Sequence, residues 1–122
     1  MYLNKVTVIG DVVADPELRF AGASQRPVTD IRLAVKRVWK DSSGERREET
    51  LFIDVVAWGK QAETAVQYLR KGREVAVDGR LTKDEWTDAA GKACSKVKIV
   101  SDRLIFLPMR SEEDVAIADA GF

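Results

Sequence analysis

The sequence predicts an all-β fold, a small closed barrel of five strands with one helix inserted between them. Five stretches either alternate apolar and polar residues or are rich in β-branched residues, as strands are. Glycines interrupt the first and the fourth stretch at Gly10 and Gly79, where the strands of a small barrel bend. One further stretch, residues 60–72, has a helical rather than a strand period.

The first two strands are separated by a long loop. KVTVIGDVV, which begins at Lys5, is the first strand, and ADPELRFAGASQRP, residues 14–27, is a loop with two prolines. The second strand, VTDIRLAVKRVW at residues 28–39, alternates along its length. Its inner face carries Ile31, Leu33 and Val35, and its outer face carries Asp30, Arg32 and Lys36.

The third strand carries more apolar surface than a half-buried strand needs. It follows a charged hairpin loop around Gly44, residues 40–49. In TLFIDVVAW, residues 50–58, the inner set is Leu51, Ile53, Val55 and Ala57. A strand that has one face in the core normally carries polar residues on its solvent-exposed face. Here that outer face has Phe52, Asp54, Val56 and Trp58.

A helix and two strands complete the barrel. The helix carries a stripe of Ala62, Ala65, Val66 and Leu69, and Gly72 is expected at its C′ position. REVAVDGRLTKDEW, with Val75, Val77 and Leu81 inward, and SKVKIVSDRLIFL are the last two strands. This order predicts an OB-fold, a five-stranded Greek-key barrel with one α-helix between strands 3 and 4. The barrel domain spans residues 1–108, and residues 109–122 form a short acidic C-terminal tail.

The composition excludes several classes of site. The chain has 20 Lys plus Arg and 20 Asp plus Glu, but all the basic residues lie at or before Arg110, so a weakly basic body precedes the acidic tail. With one cysteine, Cys94, and no histidine, neither a disulfide nor a Cys/His metal cage forms within the chain. A reducing, cytoplasmic location fits, and the N-terminus shows no signal peptide or membrane span.

Catalysis is not predicted. Without histidine, a general base would be a carboxylate, Lys or Tyr, and no phosphate-binding glycine motif is present. Two pairs of acids are candidate metal ligands, Asp11 with Asp15 and Asp84 with Glu85, but solvated loop and strand-edge acids explain them better. We therefore expect neither an enzyme nor a cofactor nor a metal site, and a carboxylate-metal nuclease ranks last among the functions considered.

The outward aromatics point to a binding surface. Phe52 and Trp58 share the outer face of the third strand, and Trp86 shares the polar face of the fourth. Trp39 has the core parity of its strand and would need a bulge, or a coil near the strand end, to turn outward. Aromatic rings among cations stack nucleic-acid bases in any sequence while Lys and Arg contact phosphates. The alternative for Phe52 and Trp58 is burial under the helix or at a subunit interface.

Candidate phosphate contacts come from the basic residues around these aromatics. Most charges in a chain this rich in them only solvate a surface, so we expect about half of the candidates to function. The set is Lys5, Arg19, Lys36, Arg37, Arg46, Lys60, Lys71, Arg73, Lys83 and Lys98, with Arg47 and Lys96 as further members.

The chain resembles the bacterial single-stranded-DNA-binding protein family. The blocks NKVTVIGDVVADPELRF, DIRLAVKRVWKDSSGE, VVAWGKQAETAVQYLRKG, VDGRL and EWTDAAGK carry the resemblance across residues 4–107. It implies an OB-fold homotetramer that binds single-stranded DNA cooperatively in replication, recombination and repair, close to the nucleoid. The family's base-stacking aromatics fall on Trp39, Phe52, Trp58 and Trp86, and its basic positions include Lys5, Arg19, Lys60 and Lys71.

Some positions depart from the family pattern. Asp54, Thr82 and Asp84 stand where well-known members carry Arg, which predicts weaker phosphate contacts on those strands. For subunit contacts, Val6, Val8 and Val12 are candidates for an apolar outer face. The short tail ends in acids before a terminal phenylalanine, so Asp119 and Phe122 are candidates for recruiting replication and repair proteins. The alternative function is an OB-fold adaptor of the primosome type, whose aromatics bind protein or RNA.

Overall fold

Six strands and one helix make up the part of the chain that the computed structural model describes, residues 1–108. The strands are β1 (Val6–Val12), β2 (Arg19–Ala21), β3 (Arg26–Lys40), β4 (Arg46–Trp58), β5 (Glu74–Thr87) and β6 (Ala93–Phe106). The helix α1 (Lys60–Tyr68) lies between β4 and β5. Within residues 1–108, no helix has the length and apolar character needed to cross a bilayer.

The five long strands close into a barrel. Hydrogen bonding runs in the order β1-β5-β6-β4-β3, and β3 then pairs with β1 at Asp11–Ala34 and Val12–Leu33. Only the β4–β6 pairing is parallel among the pairings of the described strands. The predicted OB-fold, with a five-stranded barrel and one helix, is confirmed. The short strand β2 adds to the edge of β3 and lies in the stretch that the sequence predicted as loop.

Alternation predicted most of the core but not where it ends. The buried set includes Ile31, Leu33, Val55, Ala57, Val75, Val77 and Ile99, to which Ala65 of α1 and Leu69, the residue after the helix, are added. Leu51 and Leu81 were predicted to face the core, and this was wrong: they are 53% and 45% exposed. The β3–β4 and β5–β6 hairpins extend past the barrel, so no layer covers the inner side of their outer parts.

The first strand corrects a second expectation. Val12 lies in the core, and Val6 and Val8 pack against it, so these valines do not form an outer face. Their neighbour Ile9 points the other way and is 54% exposed. The physical reason is that β1 must supply one wall of the barrel, and its alternate residues are the valines.

The two turns differ from their predicted geometry. The β3–β4 turn occupies only residues 41–45, because the charged stretch after Gly44 already pairs as strand. Asp41 organises this turn by accepting hydrogen bonds from the backbone of Ser43 and Glu45. Gly72 is not the C′ residue of α1: the helix ends at Tyr68, and Gly72, at φ 93°, lies in the turn that follows. Arg70 instead satisfies the helix end by donating to the Val66 and Leu69 carbonyls.

Two glycines allow strands to approach each other closely. A Cβ at Gly10 would lie 2.8 Å from the Ala34 carbonyl oxygen, where β1 closes onto β3. A Cβ at Gly79 would lie 2.2 Å from the Val100 carbonyl oxygen, beside the register shift between Asp78 and Gly79. The predicted bends at these positions therefore coincide with contacts that leave no room for a side chain.

Gly79→Ala should destabilise the fold by about 1–3 kcal/mol or more, because the added methyl group overpacks a backbone contact that cannot move independently. Urea unfolding followed by circular dichroism measures the change. Gly44→Ala is the matched control, since a Cβ there meets nothing within 4 Å and only the left-handed φ of 84° opposes it. Equal destabilisation by the two substitutions would contradict the role of close approach at Gly79.

Candidate nucleic-acid interface

One continuous sheet surface faces away from the core. β4 pairs with β3 on one side and with β6 on the other, and β6 pairs with β5. The side chains on this surface, which we call the outer face, alternate with those of the core. They are Asp30, Arg32, Ala34 and Lys36 of β3; Phe52, Asp54, Val56 and Trp58 of β4; Lys96, Lys98 and Val100 of β6; and Arg80, Thr82, Asp84 and Trp86 of β5.

Two arginines of β3 lie over the two aromatic rings of β4. The Arg32 guanidinium carbon lies 5.6 Å from the centroid of the Phe52 ring, and that of Arg26 lies 5.1 Å from the centroid of Trp58. Arginine over an aromatic ring is attracted by its π electrons, by roughly 0.5–1 kcal/mol at exposed sites. Phe52 is half-exposed and Trp58 is partly buried, so both rings keep accessible surface.

The structure places the other two aromatics at the ends of the hairpins. Trp86 is 49% exposed and lies opposite Cys94 near the end of β5, on the outer face. Trp39 lies opposite Arg47 and, as its parity predicted, on the other face of the β3–β4 hairpin from Phe52. It is partly buried, with the Arg37 guanidinium carbon 4.6 Å from its ring centroid. The outer face thus unites Phe52, Trp58 and Trp86 but not Trp39.

Ion pairs cross the centre of the outer face. Asp54 accepts hydrogen bonds from Arg32 of β3, at 3.1 Å, and from Lys96 of β6. Asp84 pairs with Lys98 at 2.7 Å on the β5 side, and Asp30 pairs with Arg19 at 2.9 Å on the β2 side. A line of carboxylates therefore alternates with cations across five strands.

The pKa values of this network follow from its contacts. Burial of the Asp54 carboxyl acts to raise its pKa, but the hydrogen bonds from Lys96 and Arg32 outweigh burial and hold the pKa below its ordinary value. The Asp84 hydrogen bond raises the pKa of Lys98, with further help from the charges of Asp30 and Asp54. Both shifts favour the charged form of the group, so the contacts of Asp54 with Arg32 and Lys96 and of Lys98 with Asp84 favour ionisation of Asp54 and Lys98.

The remaining predicted phosphate contacts fall into three groups. Lys5 lies 3.8 Å from Asp78, and Lys83 lies 3.1 Å from Glu85. The Arg73 side chain donates to the Leu107 carbonyl, and its Nε is buried without a hydrogen-bond partner among the described residues. A third group is exposed and forms no ion pair with any residue in 1–108: Lys36, Arg46, Lys60 and Lys71.

Some acids considered as metal ligands have other contacts. The Asp15 carboxylate accepts the backbone N–H of Lys71 at 2.8 Å, and Asp84 pairs with Lys98. Within the described part of the chain, no three Asp, Glu, Cys or His side chains come together as a metal cluster. Asp119 and Phe122, the candidate partner-binding residues, lie outside the described residues.

Arg26 and Arg32 were not among the predicted site residues, although both lie over site aromatics. The missing signal was the register of the β3–β4 hairpin. A turn around Gly44 pairs Ala34 with Phe52 and Arg32 with Asp54, so counting outward from the turn would have found Arg32. The position of Arg26 depends also on how the chain enters β3, which no local pattern encodes.

The sequence matches known proteins over most of its length. A model of the Single-strand binding protein family matches residues 3–107. The chain is 38% identical over 111 residues to the "Single-stranded DNA-binding protein" of Helicobacter hepaticus, which covers 91% of this chain and 65% of that protein. It is 41% identical over 112 residues to the protein of the same name from Aquifex aeolicus, covering 90% and 75% respectively. The chain therefore spans just under two thirds of the length of the Helicobacter relative.

Solved structures with the same fold include two that share substantial sequence identity. The SSB of Plasmodium falciparum, in complex with ssDNA, superimposes with a TM-score of 0.79 at 28% identity, covering 88% of this chain and 97% of that one. A deletion mutant of the single-stranded DNA binding protein from Thermus aquaticus gives a TM-score of 0.77 at 31% identity, covering 88% and 52%.

The Asp54 ion pairs predict how stability depends on pH. Because the pKa of Asp54 is lower in the folded protein than in the unfolded chain, its contribution to stability is full above the unfolded pKa of about 3.9. It is lost as the pH falls through the folded value. Asp54→Asn should therefore lower the free energy of unfolding at pH 7, and this deficit should shrink as the pH falls below 4.

Urea unfolding of both proteins at a series of pH values measures this deficit. Glu85→Gln is the control, because it breaks an ion pair whose side chains are both more than half exposed, and such pairs contribute little. A deficit for Asp54→Asn that does not change between pH 7 and pH 3 would rule out the ionised carboxylate as its source.

Proposed function

Because the chain belongs to the Single-strand binding protein family, we propose that it binds single-stranded DNA without sequence preference. The role fits replication, recombination and repair, in which exposed single strands need protection. The proposal concerns binding only, with no catalytic step, no metal and no cofactor. A cytoplasmic, nucleoid-associated location follows from the same proposal.

The observation that carries the proposal is the outer face. It presents half-exposed Phe52 and Trp86 with Trp58 on one sheet surface, and arginine side chains lie over two of these rings. A base offers a π-face whatever its identity, so such rings bind strands of any sequence, and nearby cations contact the backbone. An apolar enzyme pocket would enclose these aromatics, whereas here they lie on an open surface.

We assign base stacking to Phe52, Trp58 and Trp86 on the outer face, with Trp39 stacking a base where the strand passes around the end of the β3–β4 hairpin. Phosphate contacts are assigned first to the exposed cations that have no ion pair within residues 1–108, which are Lys36, Arg46, Lys60 and Lys71. Cations held in pairs contribute once those pairs open: Lys5, Arg19, Lys83 and Lys98. Arg37 is assigned a phosphate contact beside Trp39, because its guanidinium lies over that ring. Arg73 is the weakest candidate, since its guanidinium donates to the Leu107 carbonyl.

A homotetramer is proposed on the family resemblance and on β1. Residues Val6–Gly10 pair with β5 on one edge, and their other edge pairs with no strand among residues 1–108. The exposed Ile9 belongs to this segment. An unpaired edge that also carries apolar surface is a ready site for another chain. The acidic tail, residues 109–122, is proposed as a separate segment that recruits replication and repair proteins through Asp119 and Phe122.

Trp58→Ala should weaken binding to oligo-dT by roughly 1–3 kcal/mol, a range measured on single-strand binding proteins themselves among others. Anisotropy of a labelled oligo-dT strand at low salt measures the affinity independently of the lost fluorophore. Tyr68→Ala is the matched control, because Tyr68 is an exposed aromatic on α1 that lies against Phe106 and not on the outer face.

Three results would count against this assignment. Equal losses for Trp58→Ala and Tyr68→Ala would remove Trp58 from the stacking surface. Failure of oligo-dT to bind or to quench tryptophan fluorescence at low salt would contradict single-stranded DNA binding as such. Preference for single-stranded RNA over DNA would favour the adaptor function.

The mass of the protein in solution should be four times that of one chain, with and without oligo-dT. Light scattering coupled to size exclusion measures it. Ile9→Glu should shift the mass toward smaller species, because it places a charge on the proposed contact. Gln67→Glu is the control, because it adds a charge at an exposed position of α1, outside the proposed contact. A monomeric wild type would contradict the tetramer without affecting the assignment of the outer face.

A further inference from the structure

The centre of the outer face is neutralised by the protein's own carboxylates. Asp54 lies on β4, the strand in the middle of this surface, and holds Arg32 from one neighbouring strand and Lys96 from the other. Its side chain is only 15% exposed, whereas those of Arg32 and Lys96 are 46% and 42% exposed. Water therefore has little access to the carboxylate, and contacts with the two cations replace most of its hydration.

A carboxylate also pairs with a single cation on each side of this centre. Asp84 holds Lys98, whose side chain is 20% exposed, and Asp30 holds Arg19. By contrast, Lys36 on the same face forms no ion pair with any residue in 1–108. The cations that contact Asp54 are thus occupied, while Lys36 is available.

Arg32 has two contacts that depend on each other. Its guanidinium lies over the Phe52 ring and donates to Asp54 at the same time. A base that stacks on this side of Phe52 must displace the guanidinium, and the guanidinium then needs another anion. A phosphate of the same strand is a suitable one, because arginine binds phosphate and carboxylate oxygens with the same donor geometry.

We propose that Asp54 is an internal competitor of the DNA backbone: its carboxylate occupies Arg32 and Lys96 in the free protein, and single-stranded DNA engages the centre of the outer face only by replacing it. This inference rests on the proposed single-stranded DNA binding. Binding then begins at the unpaired rim cations, and the central cations add less to affinity than their number implies. Asp54 in this role tunes affinity without itself contacting the strand.

Asp54→Asn tests the proposal, because the amide keeps the size of the side chain and removes its charge. Each cation that moves to a phosphate adds about 0.7 to the magnitude of the salt slope, which is about fivefold in affinity at 0.1 M salt. Asp54→Asn should therefore bind oligo-dT at least about fivefold more tightly at 0.1 M salt, with a salt slope steeper by about 0.7–1.4.

Glu63→Gln is the matched control. It also changes one carboxylate to an amide, but Glu63 is exposed in the first turn of α1 and is not on the outer face. Anisotropy titrations of labelled oligo-dT between 0.05 and 0.5 M salt, on wild type and both variants, give affinity and salt slope together. Circular dichroism before each titration establishes that the variants are folded.

Each outcome decides the proposal. Tighter binding and a steeper slope for Asp54→Asn alone support it, as does binding by Asp54→Asn where the wild type fails to bind. If the wild type binds but Asp54→Asn gains no more than Glu63→Gln, the competitor role is overturned and single-stranded DNA binding stands. If neither the wild type nor Asp54→Asn binds, both proposals fail.

A second comparison works in the wild-type background and does not require Asp54→Asn to fold. Lys36→Gln should weaken binding by about fivefold at 0.1 M salt, because an available cation is lost. Lys96→Gln should weaken it by less than about twofold, because Asp54 already neutralises Lys96 and the exchange yields little net counterion release. Equal losses for the two lysines would overturn the proposal.

Discussion

Closure of the barrel is the constraint on which the rest of the structure depends. β1 pairs with β3 through only two residue pairs, and the close approach at Gly10 makes even that contact fit. The other long strands have 13 to 15 residues, far more than closure uses. Their excess length leaves the barrel as two hairpins. The apolar core therefore stays small, while the outer face becomes longer than the barrel itself.

The outer face is continuous because β4 has partners on both sides. A residue on the outer face in the middle of β4 lies between β3 and β6, so its side chain can reach cations on both strands. Asp54 occupies it. Its partial burial makes pairing necessary, since an ionised carboxylate removed from water is costly unless hydrogen bonds replace its hydration. The location of the ion-pair network thus follows from the topology, not only from the abundance of charges.

Sequence periodicity predicted the five strands, the helix and the outward parity of Phe52, Trp58 and Trp86. It did not predict where the strands leave the core, because Leu51 and Leu81 alternate in the same way as the buried residues before them. Alternation states which side a residue faces, but whether anything covers that side depends on tertiary packing. The ion pair of Asp54 with Lys96 was inaccessible for a related reason, since the parallel β4–β6 contact joins segments about forty residues apart.

The neutralised centre also explains why the departures at Asp54 and Asp84 do not simply subtract positive charge. A face carrying only cations would repel itself in the free protein, most strongly where side chains are partly buried and screening is weak. Carboxylates between the cations remove that repulsion and stabilise the sheet before any strand arrives. The same contacts must be exchanged when a polyanion binds, so part of the binding energy replaces interactions already present. In the proposed binding mode, stability of the free fold and affinity for the strand depend on the same ion pairs with opposite signs, and Asp54, which joins three strands, is where the two requirements meet most directly.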